Sequence, residues 1–381
     1  MDFTLSPDHE AIRRAVHDYT TQKVHSSIEA FEETATFPAE LIELAAQMGL
    51  LGIIIPEEFG GAGLDTLALA LVVEEISKVS PALALIICAN NSLSGAPIIA
   101  HGNQDQKKKY LTQLAIGDTY GCYAMTEPNA GSDVASLQAK AVLDGDFWVL
   151  NGVKTLITNG SIADIAVGIF RTGPHPHKGL SAFIIDLPTP GFKIARVEHK
   201  MGLSASPTAE IVFEDCKIPR ENLLGERGDG FKIAMQTMNS GRVYIAAQAL
   251  GIAEGALDLA LTYAGSRRTF GKLLSEHQVI QHSLADMATD IELARSLIYR
   301  TCALKDSGAS YVKFASMSKL FATEMAVKAV NNALQIFGGV GYVRGSRIER
   351  LYRDVRALPI YEGASEIQKN IIANAIIYNR F

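Results

Sequence analysis

The sequence has few cysteines, no long uninterrupted apolar run and no excess of positive charge. Its four cysteines, Cys88, Cys122, Cys216 and Cys302, stand far apart, so no Cys-x-x-Cys metal or redox clip exists. Scattered cysteines in a chain of 381 residues read as reduced core thiols and suggest a cytoplasmic setting. A mitochondrial matrix origin with a removed leader fits the same negatives. The greasiest run, Ala82 to Cys88, is too short to span a bilayer, so no membrane insertion is expected. Met1-Asp2-Phe3-Thr4 lacks the basic and apolar regions of a signal segment. Lys plus Arg number 35 against 41 Asp plus Glu, a net charge of −6, which argues against a nucleic-acid binder. No Gly-x-Gly-x-x-Gly behind a strand, Walker loop, His-Glu-x-x-His or Gly-x-Ser-x-Gly occurs. His101, His177, His199, His277 and His282 show no metal spacing, so no metal site is expected, and Lys107-Lys108-Lys109 reads as a solvated helix face.

What is present is a large apolar fraction, 48 %, with 20 % charged residues. Such a chain can bury a sizeable core, divided on length over two or three domains. The pattern has three parts, and no repeat or low-complexity tract interrupts it. Residues 1–120 read as helical. Ser6-Pro7-Asp8 starts a helix followed by Ile12, Val16 and Tyr19 at helical spacing. Further helices are predicted over about 38–48, 65–79 and 81–101. Residues 121–228 read as short β runs split by turns. Phe147–Leu150 and Val153–Ile157 around Asn151-Gly152 predict a two-residue hairpin. Strands are also predicted near 165–170, 181–186, 192–196 and 210–213. Residues 229–381 are helical again, over about 230–264, 277–306, 311–337 and 365–377.

Four stretches could carry chemistry. Tyr123 to Asp133, with Met125, Thr126, Gly131 and Ser132, forms a turn-rich entry to the β region. Its free N–H groups and hydroxyls suit a phosphate or a polar ring edge, and equally an ordinary turn. Ile157-Thr158-Asn159-Gly160 ends the predicted hairpin. Gln335 to Tyr342, with Gly338 and Gly339, follows a long helix and reads as a cap or a close-approach site. Tyr361-Glu362-Gly363-Ala364-Ser365-Glu366 sets Glu362 in apolar surroundings. There a desolvated carboxylate could act on a carbon acid, or a helix-start acid could simply oppose the macrodipole.

In their order along the chain these stretches resemble the acyl-CoA dehydrogenase family, together with Arg267-Arg268-Thr269-Phe270-Gly271-Lys272 and His277-Gln278. The resemblance covers essentially the whole chain. It implies an α+β multidomain fold: an N-terminal helical domain, a middle β-barrel or sandwich domain and a C-terminal four-helix bundle. It implies one FAD per subunit of a homotetramer. Tyr123, Met125, Thr126, Gly131 and Ser132 would line the flavin and the thioester end of the substrate. Leu156, Ile157 and Thr158 would flank the flavin ring. Arg267, Phe270, Gln278, Gln335, Gly338 and Gly339 would hold the adenosine diphosphate part across a subunit interface, the forked Arg267 suiting a pyrophosphate. Ala364 and Glu366 would meet FAD again.

On the substrate side the resemblance implies contacts from Ser132, Asn239, Arg242, Tyr361 and Gly363. Glu362 would be the base that takes the α-proton while a hydride leaves the β-carbon for the flavin. The product would be a trans-2-enoyl-CoA, with electrons passed to an electron-transfer flavoprotein. The base N–H and a ribityl hydroxyl would stabilise the enolate. Branched-chain and long-chain relatives carry their base beside the arginine matching Arg242. That neighbour here is Gly241, which points to the short- or medium-chain, butyryl-type group. The absence of Lys and Arg between Pro81 and Gly102 disfavours a dicarboxylyl substrate. Two positions depart from the family. Leu156 stands where an aromatic residue is usual, and Ser204 where an arginine is common. The alternatives are another flavoenzyme of the same fold, an oxidase or a monooxygenase, or a non-catalytic acyl-CoA-binding protein.

Overall fold

The computed structural model describes residues 4–378; Met1, Asp2 and Phe3 of the N-terminal stretch lie outside the described residues. Helix Pro7–Tyr19 starts where Ser6 Oγ accepts the His9 N–H at 3.2 Å and Pro7 occupies the first turn. Helix Thr66–Ser77 is capped by Asp65 and helix Pro81–Cys88 by Ser80. The latter continues through a π-helical stretch, Ala89–Gly95, into Ala96–His101. The joined run of 21 residues is long and apolar enough to cross a membrane, but 89 % of its apolar window is buried against the rest of the chain. The wider π turn accommodates buried polar groups. Asn90 donates to Leu51 O and Leu114 O at 3.0 and 3.2 Å and accepts the Gly121 N–H at 3.0 Å. One asparagine thus fastens the first strand to two helical segments.

The middle region holds eight strands: β1 Gly121–Ala124, β2 Lys140–Asp144, β3 Phe147–Thr158, β4 Ile165–Arg171, β5 Leu180–Asp186, β6 Phe192–Val197, β7 Thr208–Pro219 and β8 Leu223–Leu224. Their order is β6-β7-β3-β2-β4-β5-β8, with β1 parallel to β4. β2 and β4 touch through the single pair Lys140–Arg171, so the sheet folds there into two halves. Between the halves lie Trp148, Phe170, Phe183 and Phe213 in edge-to-face contact, with centroids 5.1 to 6.1 Å apart. The other face of β1, β4 and β5 carries Tyr123, Val167, Ile169 and Ile184 against the N-terminal helices. β4 is buried on both faces, as its unbroken apolar sequence requires.

The expected hairpin at Asn151-Gly152 is not formed. β3 runs straight through it, and the pair makes a bulge against β7. Asn151 accepts the Asp215 N–H at 2.9 Å, and Gly152 takes a φ of 146°. A Cβ on Gly152 would lie 2.4 Å from that of Ala139, so glycine is required there by packing. The two-residue turn is Gly145-Asp146, between β2 and β3, with Gly145 at φ 59°.

The C-terminal region is built on helix Gly230–Ser266, 37 residues long, packed by Gln278–Asp306, Val312–Phe337 and, on the latter, Ser365–Tyr378. The helix Arg347–Val355, capped by Ser346, is an addition to the expected elements. Gly251 and Gly255 let the long helix touch the backbone around helix Thr66–Ser77. A Cβ at either position would stand 2.1 or 2.2 Å from the carbonyl oxygen of Glu74 or Lys78. That contact sets the long helix, and hence Asn239 and Arg242, against the N-terminal region.

Candidate active site

The loop after β1 is held by a buried ion pair. Lys154 Nζ lies 2.8 Å from Glu127 Oε1, and the lysine is wholly buried. The same nitrogen donates to Met125 O at 3.0 Å and to Ile169 O at 2.6 Å. Glu127 also accepts the N–H groups of Gln138 and Ala139 at 2.7 and 2.9 Å. Burial pulls the ammonium down to about 8, against the opposing pull of Glu127. This pair fixes the backbone on which Tyr123, Met125, Thr126 and Ser132 sit. Nothing in the sequence marks this pair except a lysine inside an otherwise apolar β run.

Thr126 O accepts the Thr155 N–H at 2.9 Å, which joins the loop to the end of β3. Leu156, Ile157 and Thr158 therefore share an edge with Tyr123 to Ser132. At Leu156 β3 turns to a φ of 58° beside a register shift, and the side chain is 61 % exposed. Asn159 follows at φ 62°, buried, its Nδ2 3.3 Å from Gly121 O. Gly131 and Ser132 are exposed at the rim.

Glu362 approaches from the C-terminal region. It takes a φ of 53° and Gly363 one of 98°, two consecutive left-handed residues. Among the described residues its N–H makes no hydrogen bond, and its Oε2 is buried without a hydrogen-bond partner. Across from it stands Gly241, where a Cβ would lie 2.9 Å from that oxygen. A side chain at 241 would displace the carboxylate. Burial pushes the Glu362 carboxyl up to about 7, partly opposed by Arg242 and Lys319. Its charge also reaches Cys88 and Tyr123, which places the carboxylate where the N-terminal helices, β1 and the long helix meet. Arg242 is 4 % exposed and donates to Asn239 Oδ1 at 2.5 Å. Tyr361 Oη donates to Gln248 Oε1. Lys319 and Gln368, absent from the sequence reading, both donate to Gly363 O at 2.8 Å. A lysine on a long helix carries no sequence signal of such a position.

Arg267, Phe270, Gln278, Gln335, Gly338 and Gly339 form a separate, exposed group. Arg267 ends the long helix, and Gly338 ends helix Val312–Phe337. Tyr263 stacks on Phe337 with centroids 4.3 Å apart, which brings the two helix ends together. Phe270 is 97 % exposed at φ 49°. No hydrogen bond among the described residues links this group to Glu362. Ala364 and Glu366 lie at the start of helix Ser365–Tyr378, with Glu366 exposed. Ser204 lies in a loop pinned by carboxylates from two other regions. Its N–H donates to Glu32 Oε2 at 2.9 Å, and the Leu203 N–H to Asp354 Oδ1 at 2.5 Å. Among the described residues no group of three or more His, Cys, Asp or Glu is placed to hold a metal ion.

The family models for the N-terminal, middle and C-terminal domains of acyl-CoA dehydrogenase match residues 6–118, 122–216 and 228–377. A short-chain specific acyl-CoA dehydrogenase of Clostridium acetobutylicum is 44 % identical over 377 residues, covering 99 % of this chain and 100 % of its own length. The chain belongs to the acyl-CoA dehydrogenase family. Butyryl-CoA dehydrogenase from Megasphaera elsdenii has the same fold, with a TM-score of 0.97 at 39 % identity over 99 % of this chain and 100 % of the other. A chain in a structure of the electron transferring flavoprotein of Acidaminococcus fermentans gives 0.98 at 42 % identity, with the same coverage of both. The three-region architecture is therefore that of an acyl-CoA dehydrogenase, an oxidoreductase. The stretches at Tyr123, Leu156 and Glu362 lie where its regions join.

Proposed function

We propose that this acyl-CoA dehydrogenase converts a short-chain saturated acyl-CoA to the trans-2-enoyl-CoA, with Glu362 taking the α-proton. The observation that carries the reading is the Glu362 Oε2: buried, unpartnered and facing the bare backbone of Gly241. The α-proton of a thioester is very weakly acidic. A carboxylate removes it effectively only in a dry site where its own basicity has been raised. Burial does that here. The unbonded N–H of Glu362 is free to donate to the thioester oxygen as charge develops there. Its left-handed backbone presents N–H and side chain together. Arg242, bonded to Asn239, borders the same space.

The residues also fit FAD. Gly131 and Gly339 have no left-handed φ and nothing within 4 Å of a would-be side chain, so neither conformation nor packing within the chain calls for glycine. A cofactor approaching from outside would account for both. Leu156 and Phe270 hold apolar side chains out to solvent on left-handed backbone. Tyr123 to Ser132 with Leu156 to Thr158 would hold the ring end, and Arg267 with its neighbours the diphosphate end, with Ala364 and Glu366 adjoining. FAD when bound supplies the acceptor for the hydride leaving the β-carbon. The onward acceptor in this reading is an electron-transfer flavoprotein, a partner suggested by the similarity to the Acidaminococcus fermentans chain. A homotetramer is the assembly, favoured by the exposed apolar residues Phe270, Tyr342 and Val343. A reducing, cytoplasmic setting agrees with four buried, unpaired cysteines.

The test is anaerobic bleaching of the FAD-loaded protein by a series of acyl-CoA esters. Butyryl-CoA is expected to bleach it fastest, with octanoyl-, isovaleryl- and glutaryl-CoA slower. Bound flavin that no acyl-CoA reduces would overturn the reading.

A further inference from the structure

Lys319 is a buried cation that the reaction as described leaves unused. It sits on helix Val312–Phe337 with no exposed surface, on a face whose other buried members include Ala315, Ala322 and Ala326. An ammonium there loses its hydration and is lowered to about 8 by burial. A methionine would fill the space without that cost. Among the described residues no carboxylate lies within ion-pair distance of it.

The charged groups facing Lys319 are Glu362, Arg242, Glu324 and Glu366. Of the carboxylates, Glu324 accepts Ser365 Oγ at 2.6 Å and Glu366 is exposed. Glu362 alone is buried with an unpartnered oxygen. Seen from Glu362, the charged neighbours are Arg242 on the long helix and Lys319. The other titratable groups around it are Cys88, Tyr123 and Tyr361, all pushed up and neutral. Arg242 also serves Asn239. Lys319 has one hydrogen bond, to the carbonyl of the residue directly after Glu362. Gln368 Nε2 meets the same carbonyl and would stand 2.5 Å from any Cβ on Gly363.

We propose that Lys319 is a positioning residue for the base: it clamps the left-handed Glu362-Gly363 backbone through the Gly363 carbonyl, and its charge keeps the Glu362 carboxylate ionised where water cannot. Glu362 in this strained conformation needs surroundings that over-determine it. Two donors on one carbonyl provide that, one charged and one neutral. This rests on Glu362 being the base.

The test uses the FAD-loaded holoenzyme and the acyl-CoA that bleaches it best, with kcat followed against pH. Lys319→Gln keeps a donor and removes the charge. It is expected to move the acid limb of kcat up by about one pH unit, with flavin content near wild type. Lys319→Arg should return the limb toward wild type. Gln368→Leu removes only the neutral donor, so the plateau should fall with the limb unmoved. An unmoved limb in Lys319→Gln overturns the proposal. Should Lys319→Gln not fold, a limb shifted by Gln368→Leu overturns it equally. Glu362→Gln separates the two readings. Normal turnover in that variant removes the base assignment, whereas an inactive Glu362→Gln beside an unmoved Lys319→Gln limb removes only the role of Lys319.

Discussion

The two halves of the candidate site are built in opposite ways. Around Glu362 the polar groups are buried and mostly paired within the chain, Lys319 and Gln368 on one carbonyl and Arg242 on Asn239, with the Glu362 Oε2 left unpartnered. Around Arg267 and Gly339 the side chains stand in solvent, and Phe270 touches little of its own chain. The first half is finished by folding. The second, in the proposed reading, would be completed by FAD. Chemistry needs fixed geometry and a dry environment, which suits the proposed reaction to the first; retention of a cofactor tolerates an open surface, which suits it to the second.

The largest effect that tests this contrast is Glu362→Gln. Turnover should fall by about 10³-fold or more while flavin and acyl-CoA still bind, measured by bleaching and by ligand-induced spectral change. A near-normal rate would break the contrast at its centre. Next is Lys154→Met, which leaves Glu127 buried and uncompensated. It should cost about 3–5 kcal/mol of stability in denaturant unfolding. Arg267→Ala should do the reverse: no measurable loss of stability, but FAD held about 20-fold more weakly in equilibrium dialysis. The smallest effect sharpens the comparison. Burial pushes Glu362 up to about 7 and the proposed base would work deprotonated, so kcat should rise about tenfold between pH 6 and pH 8. Over that window FAD affinity at the Arg267 end should stay flat.

Much of this architecture was legible in the residues. Periodicity and caps marked the long helices, and β-branched runs between prolines marked most strands. The misses share a cause: positions where tertiary context reassigns a local signal. Asn151-Gly152 has hairpin chemistry, but β7 lies alongside and absorbs it as a bulge. Arg347–Val355 has an apolar stripe, Ile348, Leu351 and Val355, but it is only nine residues long and buries Arg350 and Asp354 beside that stripe, so its charge-rich sequence reads as a surface segment. The candidate site divides the same way. Glu362, Arg242 and the Tyr123 and Leu156 stretches were visible as motifs with a family order. Lys154, Lys319 and Gln368 were not, because a lysine or glutamine in a strand or helix ordinarily means a wet face. Only the fold shows that these three face inward.

The long helix bears on how such a site can change. At Gly251 and Gly255 its backbone already rests on the carbonyls of Glu74 and Lys78. It can move no closer, and any side chain there would lever it away, carrying Gly241 and Arg242 with it. The width of the space beside Glu362 is thus set by a backbone stop rather than by adjustable packing. In the proposed reading, acyl chain length would then be tuned by exchange of individual side chains on the facing walls, with the distance between those walls held constant.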